Sequence, residues 1–185
     1  FVEGWNQGII TEVDCPHVHS ELVLPDKPIR PIVDNDNAQW CNKKTTVLNT
    51  IHGIAHAESY AIELFWDVIA RFCHYQLPIE FYNDMVTIAG QEASHFLAWS
   101  ERLMVLECPY GSLPTHDGLW RDAARTSHSL LARLAIINML HEARGLDVFP
   151  LTLKKFQNNR DEESSRILEK NYTEEVFHVA TGLKW

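Results

Sequence analysis

The stretch QEASHF, residues 91–96, places a carboxylate and an imidazole three positions apart in a segment whose apolar residues recur with helical spacing. Side chains three or four positions apart are neighbours on a helix surface, so Glu92 and His95 lie side by side. Phe96 and Trp99 indicate that they lie on the buried face of this helix. Because an ionised group is costly to bury unless it is paired or bound to a metal, this pair predicts partners elsewhere in the chain.

The same spacing recurs near the end of the chain, where the stretch EEVFH contains Glu175 and His178. Glu174 also lies one turn from His178. The three-residue spacing and the apolar stripe of this segment favour Glu175 as the counterpart of Glu92.

Two other apolar stripes are each interrupted by a single carboxylate, Glu58 in the first and Glu142 in the second. Glu92 follows Glu58 by 34 residues, and Glu175 follows Glu142 by 33. The chain therefore contains the same unit twice: a helix with one Glu, a connection, and a helix with Glu-x-x-His.

Four glutamates and two histidines in this arrangement match the pattern of di-iron and di-manganese carboxylate bundles. Four carboxylates offset the charge of two divalent ions, and one imidazole for each ion suits iron or manganese better than calcium. We expect Glu92 and Glu175 to bridge the ions and Glu58 and Glu142 to be terminal ligands. The sequence thus predicts two metal ions, iron first and manganese as the alternative, on six ligands: Glu58, Glu92, His95, Glu142, Glu175 and His178.

The rest of the pattern predicts an all-α body behind an extended arm. Four of the eight prolines and the turn-like DNDN lie within residues 1–43, which predicts a proline-containing arm followed by a four-helix bundle over residues 44–185. Period-two strand patterns are absent.

Helical periodicity begins at Thr45 and divides into four segments. The first covers about 45–75, the second starts at Pro78, and the fourth starts near NNRDEESS. The third is expected to end at Gly145, with Pro150 beyond it. Its predicted buried stripe consists of Leu131, Ala135, Asn138 and Glu142.

Four long stretches resemble a known family: HGIAHAESYAIELFWD, FYNDMVTIAGQEASHF, LLARLAIINMLHEARGLDVFP and EEVFHVATGLKW. They are similar to the ferritin-like proteins grouped as domain of unknown function 455, over roughly residues 24–185. The resemblance implies a ferritin-like four-helix bundle with a dinuclear metal centre, and it supplies no reaction.

A ferritin-like topology implies that the second and third helices run parallel, so the chain between them must travel back along the bundle. If the third helix began at Gly118, residues 108–117 would have to cross about 57 Å at the helical rise of ~1.5 Å per residue. Ten extended residues reach only about 33–36 Å. We therefore expect GLWRDAARTS to form a separate short helix in the crossover and the third bundle helix to begin near Ser127.

Several other polar residues are assigned lesser roles. His52 and His56 are expected to support a ligand or cap a loop, and His141 to lie off the site. Arg133 and Arg144 are expected to pair with an acidic residue such as Glu63, Asp147 or Asp84. The stretch CPHVH, residues 15–19, is either a small metal site of Cys15, His17 and His19 or an ordinary loop.

Composition restricts the partners and the compartment. The formal net charge of −9 disfavours nonspecific nucleic-acid binding, which needs a basic surface. The absence of a long apolar run predicts no membrane span. The four cysteines form no C-x-x-C pair, which favours a reducing intracellular compartment. That compartment is the cytoplasm, or an organellar matrix if the N-terminus has been processed.

An oxidoreductase that activates O₂ or peroxide, of unknown substrate, is the function that these residues favour. The alternative is a non-enzymatic structural or assembly subunit of a larger complex that retains a ferritin-like metal site, with the arm binding protein partners. Iron storage would require a cage-forming assembly. Whether the protein is an enzyme is left open, and no Ser-His-Asp set, P-loop or GxGxxG motif is visible.

Overall fold

The structure, a computed structural model, describes residues 1–13 and 46–185. These residues contain helices and no strand, so the predicted all-α class is confirmed for them. The helices, in chain order, are α1 (Val2–Asn6), α2 (Thr46–Phe72), α3 (Ile79–Val105), α4 (Gly118–Arg125), α5 (Leu130–Arg133), α6 (Glu142–Asn158) and α7 (Glu162–Lys184). A π-helical segment, Leu134–His141, joins α5 to α6.

The predicted starts of the second and fourth long helices are confirmed. Pro78 directly precedes α3 with φ −63°, a value that suits the entry to a helix. Asp161 caps α7, because its side chain accepts a hydrogen bond from the backbone N–H of Ser164. Glu162 and Glu163 occupy the first turn, where the helix dipole favours negative charge.

The predicted end of the third long helix at Gly145 is wrong. The helix continues through Gly145 and Pro150 and ends at Asn158. A proline inside a helix costs about 3 kcal/mol through a lost hydrogen bond and a clash. Continuing the helix buries Phe156, whose ring lies 6.1 Å from that of Trp99. Full burial of such a side chain contributes about 1.5–3 kcal/mol, which offsets much of the cost of the proline.

Two of the three apolar clusters in the core of the described residues define the direction of each long helix. The first apolar cluster includes Phe65, Phe72, Phe81, Met85 and Leu134. The second apolar cluster includes Leu48, Ile51, Trp99, Leu103, Phe156 and Ile167.

The direction of each long helix follows from these clusters. Helix α2 runs from the second cluster to the first, and α3 returns. The rod formed by α5, the π-helical segment and α6 runs from Leu134 in the first cluster to Phe156 in the second. Helix α7 runs from Ile167 back towards the first cluster, against which Trp185 packs. Helix α3 and the rod are therefore parallel.

The connection between α3 and the rod contains a separate short helix, as predicted. Helix α4 ends at Arg125, and the next helix begins at Leu130 instead of near Ser127. Ser129 determines this start, because its side chain accepts a hydrogen bond from the backbone N–H of Ala132.

A buried arginine fastens α4 to the core. Arg133 donates to the Asp67 carboxylate, to Thr126 Oγ1 (3.0 Å) and to the Ala123 carbonyl (2.7 Å). Asp67 lies on α2, directly against the start of the rod, and satisfies the guanidinium there. The expected pairing of Arg133 with Glu63, Asp147 or Asp84 is therefore wrong.

Two histidines of α2 anchor the beginning of the crossover. His52 Nε2 accepts a hydrogen bond from the backbone N–H of Gly111 (2.8 Å). His56 lies 2.8 Å from the Tyr110 hydroxyl and 2.9 Å from the His116 carbonyl. Burial, with a smaller contribution from His56, lowers the pKa of His52 to about 4, which keeps His52 neutral and able to accept. The loop-capping role predicted for both histidines is the one observed.

The N-terminal residues begin with a helix instead of extended chain. In α1, Val2 and Trp5 pack against the first apolar cluster, and Trp5 Nε1 donates to Asn83 Oδ1 at 2.8 Å. The remainder of the predicted arm, including the CPHVH stretch, lies outside the described residues. The division into an arm over 1–43 and a bundle over 44–185, and a role of the arm in partner binding, stay predictions.

Two further observations concern membrane-spanning helices and the cysteines. Within the described ranges, no helix is both long and apolar enough to cross a membrane. Cys108 is a buried free thiol, whereas Cys73 is disulfide-bonded. Cysteine usage therefore gives no support for a reducing compartment, which stays a prediction.

Helices α7 and the rod approach each other closely at one glycine, and this contact is testable. A Cβ at Gly182 would lie 2.1 Å from the Asn138 carbonyl oxygen. We expect Gly182→Ala to lower the free energy of unfolding by about 1–3 kcal/mol, because backbone must move to admit it. Urea unfolding followed by circular dichroism measures this change.

Gly53 in α2 is the matched control, because a Cβ there would meet nothing within 4 Å. Gly53→Ala should stabilise the protein by about 0.5–1 kcal/mol through helix propensity alone. Equal stability of Gly182→Ala and wild type would contradict the close approach.

Candidate metal centre

Six side chains meet between the two apolar clusters, and they are the six selected from the sequence. Helix α2 supplies one, α3 two, the first position of α6 one, and α7 two. We call them the Glu/His cluster: Glu58, Glu92, His95, Glu142, Glu175 and His178.

The Glu/His cluster divides into two overlapping groups of four, in each of which one ligand atom per residue lies within 4.8 Å of the others. Glu58 and His95 belong to the first group, and Glu142 and His178 belong to the second. Glu92 and Glu175 belong to both groups. The two groups therefore share these two carboxylates, and the bridging role expected for them stays a prediction.

The two histidines turn the same ring nitrogen towards the carboxylates. His178 Nδ1 lies 3.0 Å from Glu92 Oε1 and 3.3 Å from Glu175 Oε2. His95 Nδ1 lies 3.2 Å from Glu175 Oε1 and 3.8 Å from Glu92 Oε2. Each imidazole thus faces both shared carboxylates.

Three buried atoms of the cluster have no hydrogen-bond partner among the described residues: Glu92 Oε2, His95 Nδ1 and His178 Nδ1. Their residues are only 1%, 2% and 0% exposed. Buried polar atoms nearly always have a partner, and exceptions require an explanation such as an ion. A cation at the centre of each group would satisfy all three atoms.

The opposite ring nitrogens are held by two residues that the sequence analysis did not select. His95 Nε2 lies 2.7 Å from Glu174 Oε2, and His178 Nε2 lies 3.0 Å from Gln91 Oε1. When Nε2 carries the proton and donates it, Nδ1 presents its lone pair to the cluster. Metal-binding histidines are commonly oriented in this way.

These two contacts also resolve the choice between Glu174 and Glu175. Glu175 belongs to the cluster, and Glu174 lies behind a histidine. The polar residue that precedes the Glu of each Glu-x-x-His motif supports the histidine of the other motif. The sequence contains this polar residue before each motif glutamate, in the pairs Gln91-Glu92 and Glu174-Glu175. Its role becomes apparent only in the structure, where α3 and α7 lie side by side.

Burial raises the pKa of several carboxyl groups in the cluster. It is the main cause that brings the pKa of Glu92 to about 7 and that of Glu142 to about 8. It also raises the pKa of Glu58 well above its usual range, with further contributions from Glu92 and Glu175. Without a bound cation, the cluster therefore retains protons on its carboxyl groups near neutral pH.

For His178 and Glu175, ion pairing within the cluster has a larger effect on the pKa than burial. Burial alone would lower the pKa of His178, but the nearby carboxylates of Glu142, Glu175 and Glu92 raise it to about 12. Burial alone would raise the pKa of Glu175, but the nearby imidazoles of His178 and His95 bring it well below its usual range. In the metal-free protein, bound protons therefore offset the negative charge of the carboxylates, which metal ions would otherwise neutralise.

The π-helical segment positions Glu142 and corrects the predicted stripe of the third helix. Leu131, predicted to be buried, is 75% exposed, whereas Arg133, Leu134, Ile137 and Asn138 are buried. A π-helix has i→i+5 hydrogen bonds and about one more residue in each turn than an α-helix. Counting back from Glu142, successive buried residues are therefore farther apart in the sequence than they would be in an α-helix. A stripe extrapolated with the α-helical period therefore drifts onto the surface.

His141 lies outside the cluster, as expected, with Nε2 3.1 Å from Asp122 Oδ2.

Comparison with known proteins gives a family and no activity. Residues 2–185 match the family described as Protein of unknown function (DUF455). An uncharacterized protein of Haemophilus influenzae is 35% identical over 141 residues, which make up 74% of this chain and 49% of that protein. The chain thus spans about half the length of this curated relative. No solved structure matches the chain.

The raised carboxyl pKa values predict how the stability of the metal-free protein depends on pH. Between pH about 5 and about 8 the folded state holds protons that the unfolded chain has released, so raising the pH over this window destabilises the fold. The raised pKa of His178 acts in the same direction above its unfolded value of 6.5. The lowered pKa of Glu175 acts only at more acid pH.

Thermal unfolding of EDTA-treated protein at pH 5, 6, 7 and 8 is the measurement. We expect Tm to fall across the series and the fall to be smaller in Glu142→Gln, which cannot ionise. A Tm that rises from pH 5 to pH 8 would contradict the protonated state assigned to Glu92 and Glu142.

Proposed function

The chain belongs to the DUF455 family, whose function is unknown, and we propose that its Glu/His cluster holds two metal ions and that the protein is an oxidoreductase that activates O₂ or peroxide. Iron is the preferred metal, with manganese as the alternative. The observation that carries the proposal is the pair of overlapping four-residue groups that share Glu92 and Glu175.

The donor set fits such a pair of ions. Each four-residue group offers three carboxylates and one imidazole, a harder set than the thiolate and imidazole ligands of structural zinc sites. Four ionised carboxylates carry the charge that balances two divalent cations. The unpartnered Nδ1 atoms of His95 and His178 would each bind one of them.

We further propose that α2, α3, the rod and α7 form a ferritin-like four-helix bundle. The parallel course of α3 and the rod supports this topology, as does the crossover through α4. Each of these four elements contributes at least one member of the Glu/His cluster.

When bound, the metal pair would supply the electron-transfer chemistry with O₂ or peroxide that amino-acid side chains lack. Glu92 and Glu175 would hold both ions, and Glu58 and Glu142 one each. Glu174 and Gln91 orient the imidazoles through Nε2. Because Glu58, Glu92 and Glu142 retain protons near neutral pH, they would release these protons as the metals bind.

Metal content is the first test of the proposal. Protein loaded anaerobically with Fe(II) and desalted should retain about two ions per chain. Glu92→Ala removes a ligand of both ions, so its content should fall to about half or less. Glu101→Ala, an exposed glutamate on the same helix, is the control and should match wild type.

Reaction with O₂ is the second test. The Fe(II)-loaded protein should consume O₂ without added substrate, as measured with an oxygen electrode, and Glu92→Ala should not. Absence of metal uptake would refute the whole proposal. Metal uptake without O₂ or peroxide consumption would refute the oxidoreductase and favour the non-enzymatic subunit.

The orienting contact of Glu174 gives a prediction at a residue outside the cluster. Glu174→Ala should weaken Fe(II) binding about 10–100-fold, because His95 loses the partner that fixes its tautomer. Glu174→Gln keeps a hydrogen-bond acceptor and should lose less. Competition with a metallochromic chelator measures both affinities.

Glu169→Ala, an exposed glutamate of α7, is the matched control and should bind Fe(II) like wild type. An affinity of Glu174→Ala equal to that of this control would show that the contact between Glu174 and His95 does not support the site.

A further inference from the structure

A cavity of about 640 Å³ lies against the Glu/His cluster, within the size range of small-molecule sites. All four glutamates of the cluster line this cavity, and neither histidine does. The histidine side is occupied by Glu174 and Gln91, which contact the far ring nitrogens. A molecule in the cavity would therefore approach the cluster from its carboxylate side.

The wall of the cavity is mainly apolar. Six large apolar residues from the long helices contribute to it: Phe65, Trp99, Ile137, Leu146, Phe149 and Leu168. Water finds few hydrogen-bond partners along such a wall. A hydrocarbon group that enters the cavity transfers its apolar surface out of water, which is favourable. The wall thus favours an organic molecule with an apolar body.

Two helical glycines line the cavity at exposed positions. Gly53 in α2 and Gly145 in α6 line it and are exposed, and a Cβ at either position would meet nothing within 4 Å. Glycine inside a helix is destabilising relative to alanine, so close packing does not account for these two. We infer that these two exposed lining positions, on α2 and α6, mark the entrance of the cavity, which larger side chains would narrow.

One cationic side chain stands at this entrance. Arg144 lines the cavity, is exposed, and forms no ion pair within the described ranges. It is the one Lys or Arg among the lining residues that the structure describes. Asp122, which also lines the cavity, is paired with His141 and Arg125. If two divalent ions offset the negative charge of the four glutamates, the positive charge of Arg144 remains. The entrance would then favour an anion.

We propose that the cavity takes an amphipathic organic carboxylate, with its apolar chain beside the Glu/His cluster and its carboxylate on the guanidinium of Arg144. This inference rests on the proposed function, because it names the substrate class of the same centre. Arg suits this role, since its guanidinium binds carboxylates through two parallel hydrogen bonds.

Three probes with the same eight-carbon chain separate the effect of charge from that of the apolar body: octanoate, 1-octanol and octyltrimethylammonium. Isothermal titration calorimetry on Mn(II)-loaded protein measures their affinities without O₂ chemistry. Octanoate should bind about three- to fivefold more tightly than 1-octanol, which is the upper part of the range for an exposed ion pair. The ammonium probe should bind most weakly.

Substitutions in the cavity wall test whether the probes bind there. Arg144→Gln should remove the preference for octanoate and leave 1-octanol binding unchanged, whereas Arg121→Gln, an exposed arginine that does not line the cavity, should keep the preference. Gly145→Leu fills the entrance and should abolish binding of all three probes. Gly53→Leu tests the same point from α2 if the first variant does not fold.

The outcomes distinguish this inference from the proposed function, because metal content is measured on the same samples. Metal uptake without octanoate binding overturns the inference and leaves the metal centre intact. Octanoate binding that depends on Arg144 in protein that takes up no metal supports the cavity and overturns the centre. Equal affinity for the three probes, or binding that survives both leucine variants, overturns the carboxylate assignment.

Discussion

The burial of four carboxyl groups and two imidazoles between two apolar clusters is the constraint on which the rest of the molecule depends. No ordinary core tolerates this density of ionisable groups, because each must find a counter-charge, a proton or a metal. Protons fill part of that need in the metal-free protein, as the raised pKa values of Glu92 and Glu142 show. The apolar clusters must therefore hold together a layer that by itself destabilises the fold.

Long-range contacts satisfy the polar groups that surround this layer. Gln91 and Glu174 cross between α3 and α7, so that each Glu-x-x-His motif orients the histidine of the other. Arg133 joins the rod to α2 and α4 in the same manner, with three acceptors on its guanidinium. These hydrogen bonds connect helices that are far apart in the chain, so the position of the Glu/His cluster and the topology are determined together.

Access to the cluster is one-sided, and this asymmetry connects the fold with the chemistry that we propose. The four glutamates of the cluster line the cavity, whereas its two histidines do not and contact Glu174 and Gln91 through Nε2. Gly53, Gly145 and Arg144, all exposed, line the same cavity.

The sequence by itself determined the all-α class, the starts of α3 and α7, the separate crossover helix, and the choice of the six side chains that the structure brings together. Each of these depends on local spacing, capping or chain reach, which are readable without knowledge of distant contacts. Only the tertiary structure decided that the third helix passes through Pro150, that Leu131 lies on the surface, and that Arg133 pairs with Asp67. These three features follow from the packing of Phe156, the π-helical turns, and contacts between helices that are remote in the sequence. None of these causes leaves a periodic signal in the chain, so local propensity does not predict them.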